Sequence, residues 1–506
     1  MAPMTEIPQH GNRWLDTLER LGNRLPEPVS LFAIALLLVM LLSQVGAWLH
    51  WSAVAPDGET MRVQGLLSAE GSWWLLRHMV ENFVLFPPLG IVLVAMFGIG
   101  LAERSGLLSA LLERGLRSAP QRLLTPAVLF LGICSSLTVD AGYVVLPPLA
   151  AALYYMAGRP PLVGLAAAFA GVSAGYSANI MLTALDPLLA GLTQSAARII
   201  APDWQVAVTA NWFFAAVSTV LLTLVGWWLT ARYVEPRQRI ETASEAPSVK
   251  DADSNDDNQA RGLRAAGLTL LVMLVVLFLL ILVPNAPLHG DGEQFARWIE
   301  VMVPILFMLF LGAGLAYGIA AGTVRHDRDV AEMLSDTVRG LAPYIVLAFV
   351  AAQFIEAFRY SQLGLLLAIH GGEMLAALAA PAPVLVTGFI SLVILANLLM
   401  GSASAKYALL APVFVPMLMQ AGLSPELTQA AYRVGDSVSN VITPLNPYWV
   451  IILAFAQRWQ RDAGIGTLLA LMLPYAIGFG VFWSLLLAIW AATGLPLGPG
   501  GGISYP

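Results

Sequence analysis

The chain has 506 residues, 58% of them hydrophobic and only 11% charged, with a mean hydropathy of +0.74. Soluble domains carry about a quarter charged residues, so a water-soluble globular architecture is excluded. The net charge of -6 comes without any basic stripe, which argues against nucleic acid as a partner; the single Cys134 excludes an intrachain disulfide, a Cys-based metal site and a redox pair.

Residues 1–27 form a polar stretch ahead of the first apolar run, so a cytoplasmic N-terminus without a cleavable signal is expected. Apolar runs long enough for the roughly 30 Å hydrocarbon core then recur along the chain. They predict nine spanning helices over 28–50, 82–102, 162–194, 208–234, 262–284, 299–323, 341–358, 428–458 and 465–493. Two other apolar stretches, about 121–156 and 383–420, are broken in the middle by Ser135–Gly142 and Gly401–Lys406. Non-helical backbone at membrane depth survives only inside protein or beside water, so both are read as re-entrant hairpins. The acidic stretch 235–261 reads as a solvated cytoplasmic loop, 262–284 as a linking helix and 494–506 as a C-terminal tail.

The chain repeats itself. Thr183-Ala-Leu-Asp-Pro187 matches Thr443-Pro-Leu-Asn-Pro447, and Asp140-Ala-Gly-Tyr143 falls on Ser404-Ala-Lys-Tyr407. Ala157-Gly158 and Pro161 fall on Ala421-Gly422 and Pro425. Each Thr-x-Leu motif interrupts a spanning segment, giving broken helices at about 162–194 and 428–458. The two units are 28–234 and 299–493. With the N-terminus inside, nineteen of the 26 Lys and Arg residues fall on the cytoplasmic side and five outside, as the positive-inside rule asks. The single linking helix inverts the second unit. The expected fold is therefore an all-α polytopic membrane protein with an inverted-topology repeat, the scaffold of secondary transporters.

Five ionisable side chains fall at membrane depth: Asp140, Asp186, Lys406, Arg433 and Asp436. Each costs about 2.5–3.5 kcal/mol there if unpaired, so they must pair, sit in a wet cavity or lose their charge. Arg433 and Asp436 share a helix face with Ser437 and Asn440. That face is either a structural Arg–Asp clamp or a carboxylate receptor in which Asp436 orients Arg433. Asp186 is either an N-cap or, because its counterpart Asn446 caps without charge, an ion-coupling carboxylate; Asp140 carries the same argument more weakly. Lys406 adds positive charge to an anion site or pairs with an acid.

Ser402 and Ser404, at the second hairpin tip, join Ser177, Asn179, Thr183, Ser439, Thr443 and Asn446 at the helix breaks. Such oxygens suit a Na⁺ site at the tips and breaks, while one titrating carboxylate would suffice for H⁺; small-residue packing explains part of the same set. Tyr143 and Tyr407 occupy equivalent places, suited to flanking an aromatic ligand or to hydrogen-bonded packing. No cofactor is implied. An intramembrane aspartyl enzyme lacks support, since neither Gly-x-Gly-Asp nor His-Glu-x-x-His occurs.

Five strings resemble the p-aminobenzoyl-glutamate transporter (AbgT) family: FPPLGIVLVAM from Phe86, VDAGYVVLPPLA from Val139, DPLLAG from Asp186, GSASAK from Gly401 and YRVGDSVSNVITP from Tyr432. The resemblance covers essentially the whole chain. It implies a homodimer in the bacterial inner membrane, embedded in lipid, that moves p-aminobenzoyl-glutamate and p-aminobenzoate-like antimetabolites on an ion gradient, with both uptake of the folate catabolite and sulfonamide efflux among the family's assigned activities. It transfers functional roles to Asp186, Ser404, Tyr407, Pro425, Arg433, Asp436 and Pro444. Tyr407 departs from the Trp usual in the family. A sodium-coupled carrier of another small organic anion, such as a dicarboxylate, is the competing reading on the same architecture.

Overall fold

The computed structural model describes residues 26–54, 60–137, 141–238, 256–377, 380–443 and 445–506. Eighteen helices of more than one turn organise these residues. They are α1 (Pro28–Trp48), α2 (Ala69–Val84), α3 (Pro87–Arg104), α4 (Leu107–Arg117), α5 (Leu124–Cys134), α6 (Ala141–Met156), α7 (Pro161–Phe169), α8 (Leu185–Ala197), α9 (Trp212–Leu229) and α10 (Asp256–Leu282). After them come α11 (Met302–Ala321), α12 (Asp327–Tyr360), α13 (Leu363–Ala377), α14 (Ala382–Asn397), α15 (Ala403–Gln420), α16 (Pro425–Ser439), α17 (Trp449–Trp459) and α18 (Ile465–Thr493). A small antiparallel hairpin, β1 (Ser52–Val54) with β2 (Thr60–Arg62), closes the end of α1.

Among the described residues, seven helical segments are long and apolar enough to cross a bilayer. The clearest is α10, which presents Leu271, Val275, Phe278 and Leu282 outward. Only 6% of its apolar window is buried inside the protein. So much exposed Leu, Val and Phe is stable against lipid and not against water. The two further spans expected at 162–194 and 428–458 are pairs of short helices, α7–α8 and α16–α17, with non-helical chain between. In the first the helix passes through a π turn, Ala170–Ala174, before it breaks.

Both hairpins form. α5 and α6 enclose the first tip, and α14 and α15 the second. Their open ends lie near opposite ends of α9. Thr125 and Tyr154, at the open end of the first, hydrogen-bond each other at 2.6 Å, and Thr125 accepts from Arg159, which forks onto Glu235 at 2.7 and 2.8 Å. The open end of the second is tied instead to the C-terminal segment, where Tyr505 N donates to Gly422 O at 2.9 Å.

Several elements extend beyond the apolar runs. The 82–102 span is the second half of a bent rod that begins at Ala69; Pro87 and Pro88 start α3 and impose the bend. The 341–358 span lies within α12, whose 34 residues measure roughly 51 Å, well beyond the hydrocarbon thickness. α4 and α13 precede the two hairpins at equivalent positions and fell outside the predicted spans because they are short. The C-terminal segment is packed, not loose: Leu497 is fully buried and its carbonyl accepts from Phe214 N at 2.9 Å.

Candidate functional site

The two helix breaks face each other in the middle of the molecule, and polar side chains from both repeats join them. At each break the same turn forms: Asp186 N donates to Thr183 O at 3.2 Å, and Asn446 N to Thr443 O at 3.3 Å. Thr183 Oγ1 accepts from Leu185 N at 3.2 Å and Thr443 Oγ1 from Leu445 N at 3.4 Å. The turn follows from the repeated Thr-x-Leu-(Asp/Asn) sequence, whose side chains satisfy backbone groups that the interrupted helices release.

Charge distinguishes the two copies. Asp186 Oδ2 accepts from Thr183 N at 2.6 Å and from Thr183 Oγ1 at 2.9 Å, leaving Oδ1 to receive Arg433 Nη2 at 2.7 Å. This ion pair joins the first repeat to the second, with both partners at least 92% buried. Lys406 Nζ, also fully buried, pairs with Asp436 Oδ1 at 2.6 Å and contacts Asn397 Oδ1. Tyr432 Oη shares its proton between Ala403 O at 2.5 Å and Asp436 Oδ1 at 3.2 Å. Two acids and two bases therefore form two neutral pairs, as burial in a low-dielectric interior demands.

The pairing differs from one sequence expectation. Arg433 and Asp436, neighbours on one face of α16, form no clamp with each other; each reaches to a different partner. Asp186 is not a simple N-cap, since it accepts from Thr183, before the helix, and from a guanidinium. Arg433 Nε and Asp436 Oδ2 are buried without a hydrogen-bond partner. Buried polar atoms are nearly always satisfied, so these two mark where the site has capacity left for a ligand or water.

The remaining expected residues separate into three groups. Ser177 N donates to Ser437 Oγ at 3.1 Å, and Asn446 Nδ2 to Ser173 Oγ at 3.1 Å, so these link the two breaks. Asn179 Nδ2 binds Ser136 Oγ at 3.0 Å and Cys134 O at 3.2 Å on the first hairpin; Ser439 Oγ and Asn440 Oδ1 accept from Asn397 Nδ2 at 2.8 and 2.9 Å on the second. Ser402 caps α15, and its hydroxyl lies 3.4 Å from that of Ser404. Pro425 starts α16, eight residues and therefore roughly 12 Å along the helix from Arg433. Asp140 and Pro444 lie outside the described residues.

Tyr407 is fully buried, its ring 4.3 Å from that of Tyr432 and its hydroxyl 2.6 Å from Thr193 Oγ1. Its counterpart Tyr143 stacks flat on Tyr448 at 3.8 Å. Of the oxygens expected to suit Na⁺, the side-chain oxygens of Thr183, Ser402, Ser439 and Thr443 take part in hydrogen bonds within the chain. Among the described residues no three His, Cys, Asp or Glu side chains converge to hold a metal.

Sequence reasoning missed Asn397, Thr193, Gln429 and Tyr432. Gln429 was findable: it precedes Arg433 by four positions and therefore shares its helix face. Its Oε1 accepts from Thr193 Oγ1 at 3.0 Å. Asn397, at the end of a plain apolar helix, gave no signal.

The model of the AbgT transporter family matches residues 13–505. The chain belongs to this family. A curated AbgT relative, the p-aminobenzoyl-glutamate transport protein of Escherichia coli, is 35% identical over 490 residues, covering 96% of this chain and 95% of its own length. The crystal structure of the Alcanivorax borkumensis YdaH transporter superposes with a TM-score of 0.87 at 45% identity, covering 94% of this chain and all of that one. Neisseria gonorrhoeae MtrF, described as illuminating a class of antimetabolite efflux pumps, gives a TM-score of 0.91 at 41% identity, with 97% and 100% covered. AbgT proteins are transporters rather than enzymes, and the chain is a multi-pass membrane protein built on the AbgT fold.

Proposed function

We propose that this chain is an ion-gradient-driven secondary transporter of p-aminobenzoyl-glutamate and related p-aminobenzoate-like antimetabolites, sulfonamides included. The observation that carries the reading is the Arg433–Asp186 pair, which holds the two inverted repeats together at their breaks. A substrate carboxylate competes with Asp186 for the guanidinium, whose planar fork suits carboxylates. Displaced, Asp186 becomes an uncompensated buried anion and takes up a proton; the reverse exchange returns it. One substitution at one arginine thus links solute binding to proton binding. Lys406 and Asp436 hold the second hairpin on α16, and Tyr407 and Tyr432 provide an aromatic surface. The names of the Escherichia coli and Neisseria gonorrhoeae relatives support the solute class.

In this reading the broken helices count as spans, giving nine, and the units 28–234 and 299–493 rock about the shared site. The face carrying Arg159 is cytoplasmic and the face carrying the C-terminal segment is outside, an orientation supported by the bias of Lys and Arg. The transporter works as a homodimer in the bacterial inner membrane. Flux of p-aminobenzoyl-glutamate and of a sulfonamide into proteoliposomes, under separately imposed proton and sodium gradients, tests the reading. A flux of neither solute rejects the solute class, and a response to sodium alone rejects proton coupling.

A further inference from the structure

Three carboxylates are buried among the described residues: Asp186, Asp436 and Glu426. Bases neutralise the first two. Glu426, only 2% exposed, has no base: Trp204 Nε1–H donates to its Oε1 at 3.1 Å, and its Oε2 has no hydrogen-bond partner. It lines a cavity of about 510 Å³ on the face that carries the C-terminal segment.

The groups around Glu426 do not supply a positive charge. Asp203, the other acid lining the cavity, adds negative potential, and no Lys or Arg lines it. Arg198 donates its Nε to Trp204 O, Tyr505 packs its ring 5.3 Å from Trp204, and Tyr407 on α15 is held by Thr193. A carboxylate taken from water with only neutral donors about it, the Trp204 indole, the Ser424 hydroxyl and its own backbone N–H, is disfavoured by burial, a penalty that a bound proton removes. The first turn of α16 opposes this, because the helix N-terminus favours an anion. These opposed effects keep both charge states within reach.

Position gives the charge a use. Glu426, Gln429, Arg433, Asp436 and Asn440 follow one another at helical spacing and form a single polar stripe along α16. Its outer end meets the cavity and its inner end the two ion pairs.

We propose that Glu426 is the outward proton-loading site of this transporter. Hydronium in the cavity gives a proton to the carboxylate and leaves water; no electrons move, and the neutral acid discharges the outer end of the α16 stripe. The inference rests on the coupled-transport reading above and names the side chain that the outer solution titrates.

Two measurements test it. Infrared difference spectra of the purified protein in liposomes, recorded as external pH is stepped, should show one protonated-carboxyl band that is lost in Glu426→Gln and retained in Asp203→Asn. This readout needs no solute, so it stands even if the solute class is wrong. In flux assays, Glu426→Gln should lose at least about tenfold of proton-driven transport and its pH dependence, while solute exchange without a gradient persists and Glu426→Asp restores a shifted pH profile. A band that survives Glu426→Gln, or proton-driven flux unchanged in that variant, overturns the proposal. So does a carboxyl band replaced by a sodium-dependent signal, which would make the site a cation site.

Discussion

Arg433 and Asp186 lie 247 positions apart in the chain, yet Nη2 of one stands 2.7 Å from Oδ1 of the other. Each comes from a different repeat, so the bond joins the two halves at the point where both helices are interrupted. Removing the guanidinium would leave a carboxylate buried with only Thr183 for company. Breaking a buried pair on one side costs about 3–5 kcal/mol. Arg433→Ala is therefore expected to lower the thermal midpoint in detergent and to abolish solute flux. Unaltered uptake in proteoliposomes would remove Arg433 from the site.

Asp186→Asn separates charge from shape. The amide oxygen still accepts from Thr183, but the carboxylate proposed to carry the proton is gone. Exchange of solute across a liposome without a gradient should persist at a reduced rate, with the response to an imposed proton gradient lost. A variant that still accumulates solute when driven by protons would clear Asp186 of coupling.

The Lys406–Asp436 pair permits a sharper test, because both partners are fully desolvated. Lys406→Met and Asp436→Leu are each expected to cost about 3–5 kcal/mol by stranding the other charge, whereas the double variant should recover most of that loss. Transport is expected to remain absent in all three. Chemical denaturation of the detergent-solubilised variants measures the first effect, and liposome flux the second. Additive destabilisation would mean the two side chains do not act as a pair.

The repeated turn and the polar interruptions were legible in the sequence because both rest on local patterns: the duplicated Thr-x-Leu motif and apolar runs near bilayer length. Arg433, Asp186, Lys406 and Asp436 stood out by charge alone. Their pairing did not, since helical spacing brings Arg433 and Asp436 together and says nothing of what faces them from another repeat. Here the long-range geometry won. Arg433 reaches Asp186 across the break, and Lys406 takes Asp436 from the hairpin. α4 and α13 escaped for a different reason: at 11 and 15 residues they are shorter than a span. Asn397 became a hub only because a hairpin delivers it to the polar end of α16.

Close packing at the first hairpin makes a final prediction. Gly171 lies in the π turn that ends α7, and a Cβ there would sit 2.8 Å from Leu129 O and 3.1 Å from Gly132 Cα. Backbone atoms cannot yield as a flexible side chain does, so the hairpin would have to move off the break. Gly171→Ala is expected to destabilise by about 1–3 kcal/mol. It should also slow transport, because the hairpin tip that Asn179 grips through Ser136 would shift with it. Gly340 provides the contrast: it lies within α12 with open space around its Cα, so Gly340→Ala should stabilise by about 0.4–1 kcal/mol and leave flux intact. Thermal midpoints of the two variants measured side by side decide the matter. Equal shifts would show that the approach of the hairpin to the π turn carries no strain.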